Sequence, residues 1–168
     1  MGSRREAGAG PLIRPGTSGD TAFVIAAGTA AFARFGHYDP ILRAFLAQDD
    51  VTSWIAEAGG APAGFALVER PRLLPGFADL VAIAVVPAHR RRGVASQLLG
   101  AVIADAERRG EALLALTVAE DNVGAISLFT RCGFRMIPGS VGHYAGGQRS
   151  RRMVRPGGAG QQEMPETG

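Results

Sequence analysis

The chain has 168 residues, 46% apolar and 20% charged, which suits one globular domain with a buried core and excludes a disordered polypeptide. All 18 basic residues are arginine; against 15 acidic residues they leave a net charge of +3. That suits a site for one anionic ligand and is too small to demand nucleic acid. The single cysteine, Cys132, allows no internal disulfide, and with three scattered histidines it makes no metal site. No apolar run reaches the roughly 20 residues that cross a bilayer, so no membrane association is expected. Arg4 and Arg5 have no hydrophobic segment behind them, so the start is no secretory signal and the expected location is cytoplasmic.

In chain order, residues 1–11 are rich in Gly and Ala and are expected to be flexible. A domain is expected over residues 12–155 and a disordered tail over 156–168, where Gly, Gln, Glu and Pro dominate. Leu12-Ile13-Arg14 reads as a short strand. Pro15 to Asp20 reads as a turn, with Ser18 or Asp20 available to cap a helix. Phe23, Val24, Ala27, Ala31 and Phe35 mark one face of that helix, which ends near Gly36. Ile41, Leu42, Phe45 and Leu46 suggest a second, short helix. Val51 to Ala58 and Ala63 to Val68 read as a hairpin across Gly59-Gly60-Ala61-Pro62.

Leu80 to Val85 is almost unbroken in apolar residues and is followed by Pro87, as expected of a buried strand. After Gly93, the residues Ala95, Leu98, Leu99, Val102, Ile103 and Ala106 recur at helical spacing, with Gly110 as the stop. Between them lies His89-Arg90-Arg91-Arg92-Gly93-Val94-Ala95-Ser96. A helix start there points free backbone N–H groups at solvent, small residues keep side chains away, and three arginines crowd the positive end. That arrangement suits a pyrophosphate; read alone, it also suits a solvated basic turn. Further on, 112–118 reads as a buried strand, 123–131 as a helix and 134–137 as a strand. Residues 138–147 read as a loop and 150–154 as a last strand.

Arg90-x-x-Gly93-x-Ala95 resembles the Arg/Gln-x-x-Gly-x-Gly/Ala loop of the GNAT superfamily of acetyl-CoA-dependent N-acetyltransferases. Asn122-x-x-Ala125-x-x-Leu128-Phe129-x-x-x-Gly133-Phe134 resembles a second block of the same superfamily. The resemblance covers residues 12 to 155 and is specific from 79 to 135. A P-loop, Gly-x-x-x-x-Gly-Lys-Ser/Thr, is excluded because the chain has no lysine. The resemblance implies a mixed α/β fold, a mostly antiparallel sheet of six to seven strands with flanking helices, and a splay between two central strands that receives acetyl-CoA.

It also implies roles. The amides and side chains of Arg90, Arg91, Arg92, Gly93, Val94, Ala95 and Ser96 would cradle the phosphates, with at most two of the arginines touching them. Ile83, Ala84 and Val85 would offer a strand edge to pantetheine. An amide near Val85 would polarise the thioester carbonyl. Asn122 would cap its helix and bond pantetheine. Phe129 stands where the family commonly has a tyrosine that protonates the departing thiolate, and Phe has no proton to give. Asp79 matches a position where several members carry a glutamate base; it also reads as a solvated strand end. The branch that acetylates ribosomal-protein alanine carries its glutamate five residues before the Asn, where this chain has Thr117. His143-Tyr144 resembles a tyrosine-bearing loop that frames the peptide N-terminus in that branch, and the Tyr144-to-Met153 spacing leans the same way.

The expected activity is acetyl transfer from acetyl-CoA to a primary amine, a small molecule or a protein N-terminus, by direct attack in a ternary complex, in a monomer or homodimer without a metal. The competing readings are a non-catalytic acyl-CoA-binding module, favoured by Phe129, and nucleic-acid binding through Arg149, Arg151, Arg152 and Arg155. The last lacks the interleaved aromatics that stack on bases. An antibiotic-modifying enzyme is a subclass of the first, and only Asp39, Asp49 and Asp50 cluster to hold a polycation.

Overall fold

The computed structural model describes residues 10–158. Seven strands form one sheet: β1 Leu12–Pro15, β2 Val51–Ala58, β3 Ala61–Glu69, β4 Phe77–Val85, β5 Leu113–Ala119, β6 Arg135–His143 and β7 Arg149–Pro156. Their order is β1-β2-β3-β4-β5-β7-β6, and every neighbouring pair is antiparallel except β4 with β5. Four helices cover the sheet: α1 Thr21–Ala31, α2 Tyr38–Leu46, α3 Val94–Arg108 and α4 Val123–Arg131. This is the mixed α/β sheet that the sequence predicts.

Strand alternation divides the core in two. On one face Ala66, Val68, Leu80, Leu114, Leu116 and Met153 pack against Leu98, Leu99 and Val102 of α3 and Phe129 of α4. On the other, Ile55, Phe65 and Leu67 pack against Val24 and Ile25 of α1 and Leu42 of α2. Gly28 lets α1 close on α2 and on the sheet, because a Cβ there would lie 2.6 Å from Leu42 Cδ1 and 3.0 Å from the Phe65 ring. The far end of α3 is tied down by Arg70, which donates to Asp105 at 2.9 Å, to Thr52 at 2.7 Å and to Glu111. That anchor fixes where the start of α3 points.

Several boundaries differ from those read in the sequence. Asp20 does not cap α1 with its side chain. Its carboxylate accepts two bonds from the Arg14 guanidinium at 2.8 Å and one from the Thr17 amide, and Arg14 holds it well below the usual carboxylate range. β6 runs to His143, where a loop from 138 was expected. Pro138, Gly139 and Ser140 form an irregularity inside the strand, after which Val141 to His143 pair with Arg151 to Arg149. The strand recovers because the Ser140 hydroxyl accepts from the Arg152 amide at 3.1 Å. The domain boundary expected after Arg155 falls inside β7, since Pro156 pairs with Leu113 and the Gly157 amide donates to Ala112 O at 2.9 Å. The expectations for residues 1–9 and 159–168 lie outside the described residues.

Candidate active site

β4 and β5 pair only from Phe77↔Leu113 to Leu80↔Leu116. Beyond that the two strands part, although both continue, to Val85 and Ala119. The cause is visible on the other edge of β4. Leu67 of β3 pairs with Ala82 while Val68 pairs with Leu80, so Val81 is an extra residue that bends the strand. A pocket of about 290 Å³ opens where they part, lined on one wall by Ile83, Ala84 and Val85 and on the other by Ala125, Leu128 and Phe129 of α4. Its walls are mostly apolar, with Arg90 the one charged residue among them, and the β4 backbone there has no strand partner on that edge.

The slot runs into a second pocket of about 380 Å³ at the start of α3. Gly93 precedes α3 with φ +76 and Arg91 has φ +59. Left-handed backbone is unusual for a residue with a side chain and is found where function demands it. The result is a turn in which the first amides of α3 have no partner. The Gln97 amide makes the first intrahelical bond, to Gly93 O at 3.1 Å, and the amides of Arg91 to Ser96 donate to no acceptor among the described residues. Arg90, Arg91, Gly93, Ala95 and Ser96 line this pocket. Arg90 is steadied by its Nε, which donates to Val85 O at 3.1 Å. Arg92 lines neither pocket.

Asn122 caps α4, its side-chain oxygen accepting from the Ala125 amide at 3.2 Å. This cap orients the helix that forms the second wall of the slot. Phe129 is buried, lines the slot, and packs against Phe134 with ring centroids 5.8 Å apart. One residue on that wall escapes the sequence reading: Arg131, the last residue of α4, which lines the same pocket as the turn before α3. Its signal is helical spacing, since Gly124, Leu128 and Arg131 share one stripe.

The opposite face of the splay is built from separate segments. Both oxygens of Asp79 accept from Arg152 Nη1, at 3.0 and 3.3 Å, and the same nitrogen donates to Thr117 Oγ1 at 2.9 Å. Thr117 is exposed although it lies in an interior strand, so this part of the sheet has no helical cover. Glu69 stands directly opposite Asp79 across β3 and β4. Burial raises its pKa, and the charges of Asp50 and Asp79 add to the rise.

Tyr144 sits at the tip of the β6–β7 hairpin, its ring 4.6 Å from Phe35, which follows α1. Burial, then the neighbouring Tyr38, push the Tyr144 hydroxyl up to about 12. The contact is part of a strap. Arg34 donates to both oxygens of Asp121 at 2.9 and 3.0 Å, Gln148 donates to Arg34 O at 2.7 Å, and the Gly146 amide donates to Phe35 O at 2.9 Å. The strap ties the α1–α2 loop to the residue before Asn122. His143 precedes Tyr144 and is exposed at the end of β6.

A phosphate-type turn leading into a slot at a strand splay is the arrangement the two sequence blocks imply. The model of the acetyltransferase (GNAT) family matches residues 23–134, two thirds of the chain. The chain belongs to the GNAT acetyltransferase family. This GNAT protein is therefore an acyltransferase.

Its fold is shared with solved structures at low identity. The ribosomal-protein-S18-alanine N-acetyltransferase from Escherichia coli is 22% identical, with a TM-score of 0.69 over 92% of this chain and 99% of that one. A ribosomal-protein-alanine N-acetyltransferase from Brucella melitensis is 22% identical, with a TM-score of 0.73 over 86% and 99%. A Bacillus subtilis acetyltransferase in complex with CoA is 19% identical, with a TM-score of 0.67 over 87% and 98%. No curated protein sequence matches the chain. Among the described residues no group of His, Cys, Asp and Glu could hold a metal, and no helix is long and apolar enough to cross a membrane.

Proposed function

We propose that this GNAT protein transfers an acetyl group from acetyl-CoA to a primary amine, a small molecule or a protein N-terminus, by direct attack in a ternary complex. The observation that carries the reading is the continuity of the two pockets: unpaired amides and arginines at the start of α3 open into an apolar slot at the β4–β5 splay. Such a channel suits a ligand with a pyrophosphate at one end and a long neutral arm at the other. A CoA-bound relative with the same fold supports the same ligand.

In this reading the free edge of Ile83, Ala84 and Val85 pairs with the amides of pantetheine, and Asn122 holds the arm from the other wall. A β4 amide near Val85 polarises the thioester carbonyl as negative charge develops on its oxygen. The amine arrives from the face of the sheet bearing Asp79, Thr117 and Arg152. Glu69 beside Asp79 gives that face a negative charge that attracts an ammonium. Asp79, directly or through a water, takes the proton that the amine must lose. The nitrogen–carbon bond forms, the carbon–sulfur bond breaks, and the thiolate takes its proton from solvent, since Phe129 has none to give. Arg152 keeps the Asp79 carboxylate aimed, and Tyr144 frames the acceptor as a neutral hydroxyl.

The ribosomal-protein-alanine acetyltransferases among the relatives, together with Tyr144, favour a protein N-terminus. The four arginines of β7 offer little to nucleic acid: Arg149 and Arg151 meet Glu120, Arg152 meets Asp79 and Arg155 meets Glu107. A non-catalytic acyl-CoA-binding module is the second reading, and Phe129 favours it. Thiol release from acetyl-CoA with small amines and with peptides of free N-terminus separates the two. Release matched by acetylated acceptor supports the enzyme; binding without release for every acceptor supports the module.

A further inference from the structure

The positive charge of this chain is distributed unevenly. Most described arginines pair with a carboxylate, from Arg14 with Asp20 and Glu57 to Arg155 with Glu107. The described arginines that pair with none are Arg90, Arg91, Arg92, Arg131 and Arg135. Three of these five, Arg90, Arg91 and Arg131, line one pocket, and no acidic residue lines it with them. Unpaired cations gathered without counter-ions mark a place where an anion neutralises them.

The three do not sit together within it. Arg90 and Arg91 belong to the turn, beside its free amides. Arg131 comes from the facing helix, on the stripe Gly124, Leu128, Arg131. Seven residues of helix separate Gly124 from Arg131, a rise of about 10 Å. Gly124 lines both the slot and the outer pocket, whereas Arg131 lines only the outer one. Ala125 and Phe129 line only the slot, so the two pockets lie side by side along α4, with Arg131 on the outer side together with the turn. Arg131 Nη1 donates to the Ser127 hydroxyl at 3.2 Å, and its Nε and Nη2 have no acceptor among the described residues. That edge of the guanidinium can take two oxygens of one phosphate side by side.

The proposed ligand carries three phosphates. The turn, with its amides and two arginines, suffices for the pyrophosphate. The third phosphate is on the 3′ oxygen of the ribose, beyond the pyrophosphate as seen from the thiol. We propose that Arg131 recognises this 3′-phosphate, so that the protein selects CoA over its 3′-dephospho form. The inference rests on the acetyl-CoA reading above. A plainer role exists for a cation on the last residue of a helix, since it faces the negative end of the dipole. That role makes no difference between the two nucleotides.

The test is calorimetric titration of the full chain with CoA and with 3′-dephospho-CoA, for wild type, Arg131→Gln, Arg131→Lys and, as a control, Arg135→Gln. Wild type is expected to bind CoA roughly tenfold to a hundredfold more tightly than the dephospho form, the range for a hydrogen bond between charged groups. Arg131→Gln should bring CoA down to the dephospho level and leave dephospho-CoA unchanged, Arg131→Lys should keep part of the preference, and Arg135→Gln should keep all of it. Equal affinity of wild type for the two ligands overturns the proposal while leaving the cofactor reading intact. So does an Arg131→Gln variant that weakens both alike, which would place the residue on the shared part of the ligand. Failure of wild type to bind either ligand overturns the cofactor reading itself, and the proposal with it.

Discussion

The two sides of the splay are built on different principles. The proposed cofactor side uses consecutive residues: a turn of backbone amides, a strand edge and one helix face, with unpaired arginines at its outer end. The proposed acceptor side uses single residues from five segments, Phe35, Asp79, Thr117, Tyr144 and Arg152, and most of its charges are already paired. A ligand held by backbone amides and loose arginines can be read from local spacing. A ligand held by side chains that meet only through the sheet order cannot.

The sharpest way to break this contrast is at the turn. Gly93→Glu puts a side chain on left-handed backbone and a carboxylate among the amides. We expect CoA affinity to fall by roughly a hundredfold or more, from the added strain and like-charge repulsion together. Titration calorimetry reads the loss, and a melting curve confirms the fold. The acceptor side should stay intact, since no acceptor-side residue touches Gly93.

The next effect is on rate. Asp79→Asn keeps the shape and the contact with Arg152 and removes the proposed base. Turnover near neutral pH should drop by about 10²-fold or more and recover towards high pH, where the amine deprotonates itself. A pH–rate profile with one good acceptor checks this, and a variant that matches wild type throughout would reduce Asp79 to a strand end. In the same assay Phe129→Tyr should leave CoA affinity unchanged and raise turnover by supplying a proton donor, by less than the 10²- to 10⁴-fold of an evolved acid, because Phe134 and the slot wall are packed around a bare ring.

A smaller effect belongs to the strap. Arg34→Ala removes both bonds to Asp121 and loosens the α1–α2 loop over Tyr144. The acceptor KM should rise while CoA affinity holds; the pair lies at the surface, open to solvent, so melting temperature should barely move. The smallest is a titration. Burial and Tyr38 raise Tyr144 from 10.0 to about 12, so the native state keeps a proton that the unfolded chain loses. Stability from this group is therefore full below pH 10 and is lost as pH rises from 10 towards 12. Tyrosinate absorbance of wild type minus Tyr144→Phe should show a transition above that of free tyrosine.

The contrast also explains what was legible. The bounds of α4 were readable because Asn122 caps it and the apolar stripe keeps helical period to Arg131. The length of β6 was not, because Pro138 and Gly139 give a turn signal that the Ser140 bond to Arg152 overrides from another strand. The partner of Asp79 was equally hidden, since Arg152 lies 73 positions away and only the β4-β5-β7 order brings it near. Asp20 reads as a cap until Arg14, on β1, claims its carboxylate.

The most direct test of the account is the structure of the complex with CoA. The pyrophosphate should lie on the amides of Arg91 to Ser96, and pantetheine should run between Ile83–Val85 and α4, past Phe129. The sulfur should emerge on the face of the sheet that carries Asp79 and Thr117. CoA bound elsewhere, or with its sulfur turned away from Asp79, would contradict the assignment of the two sides.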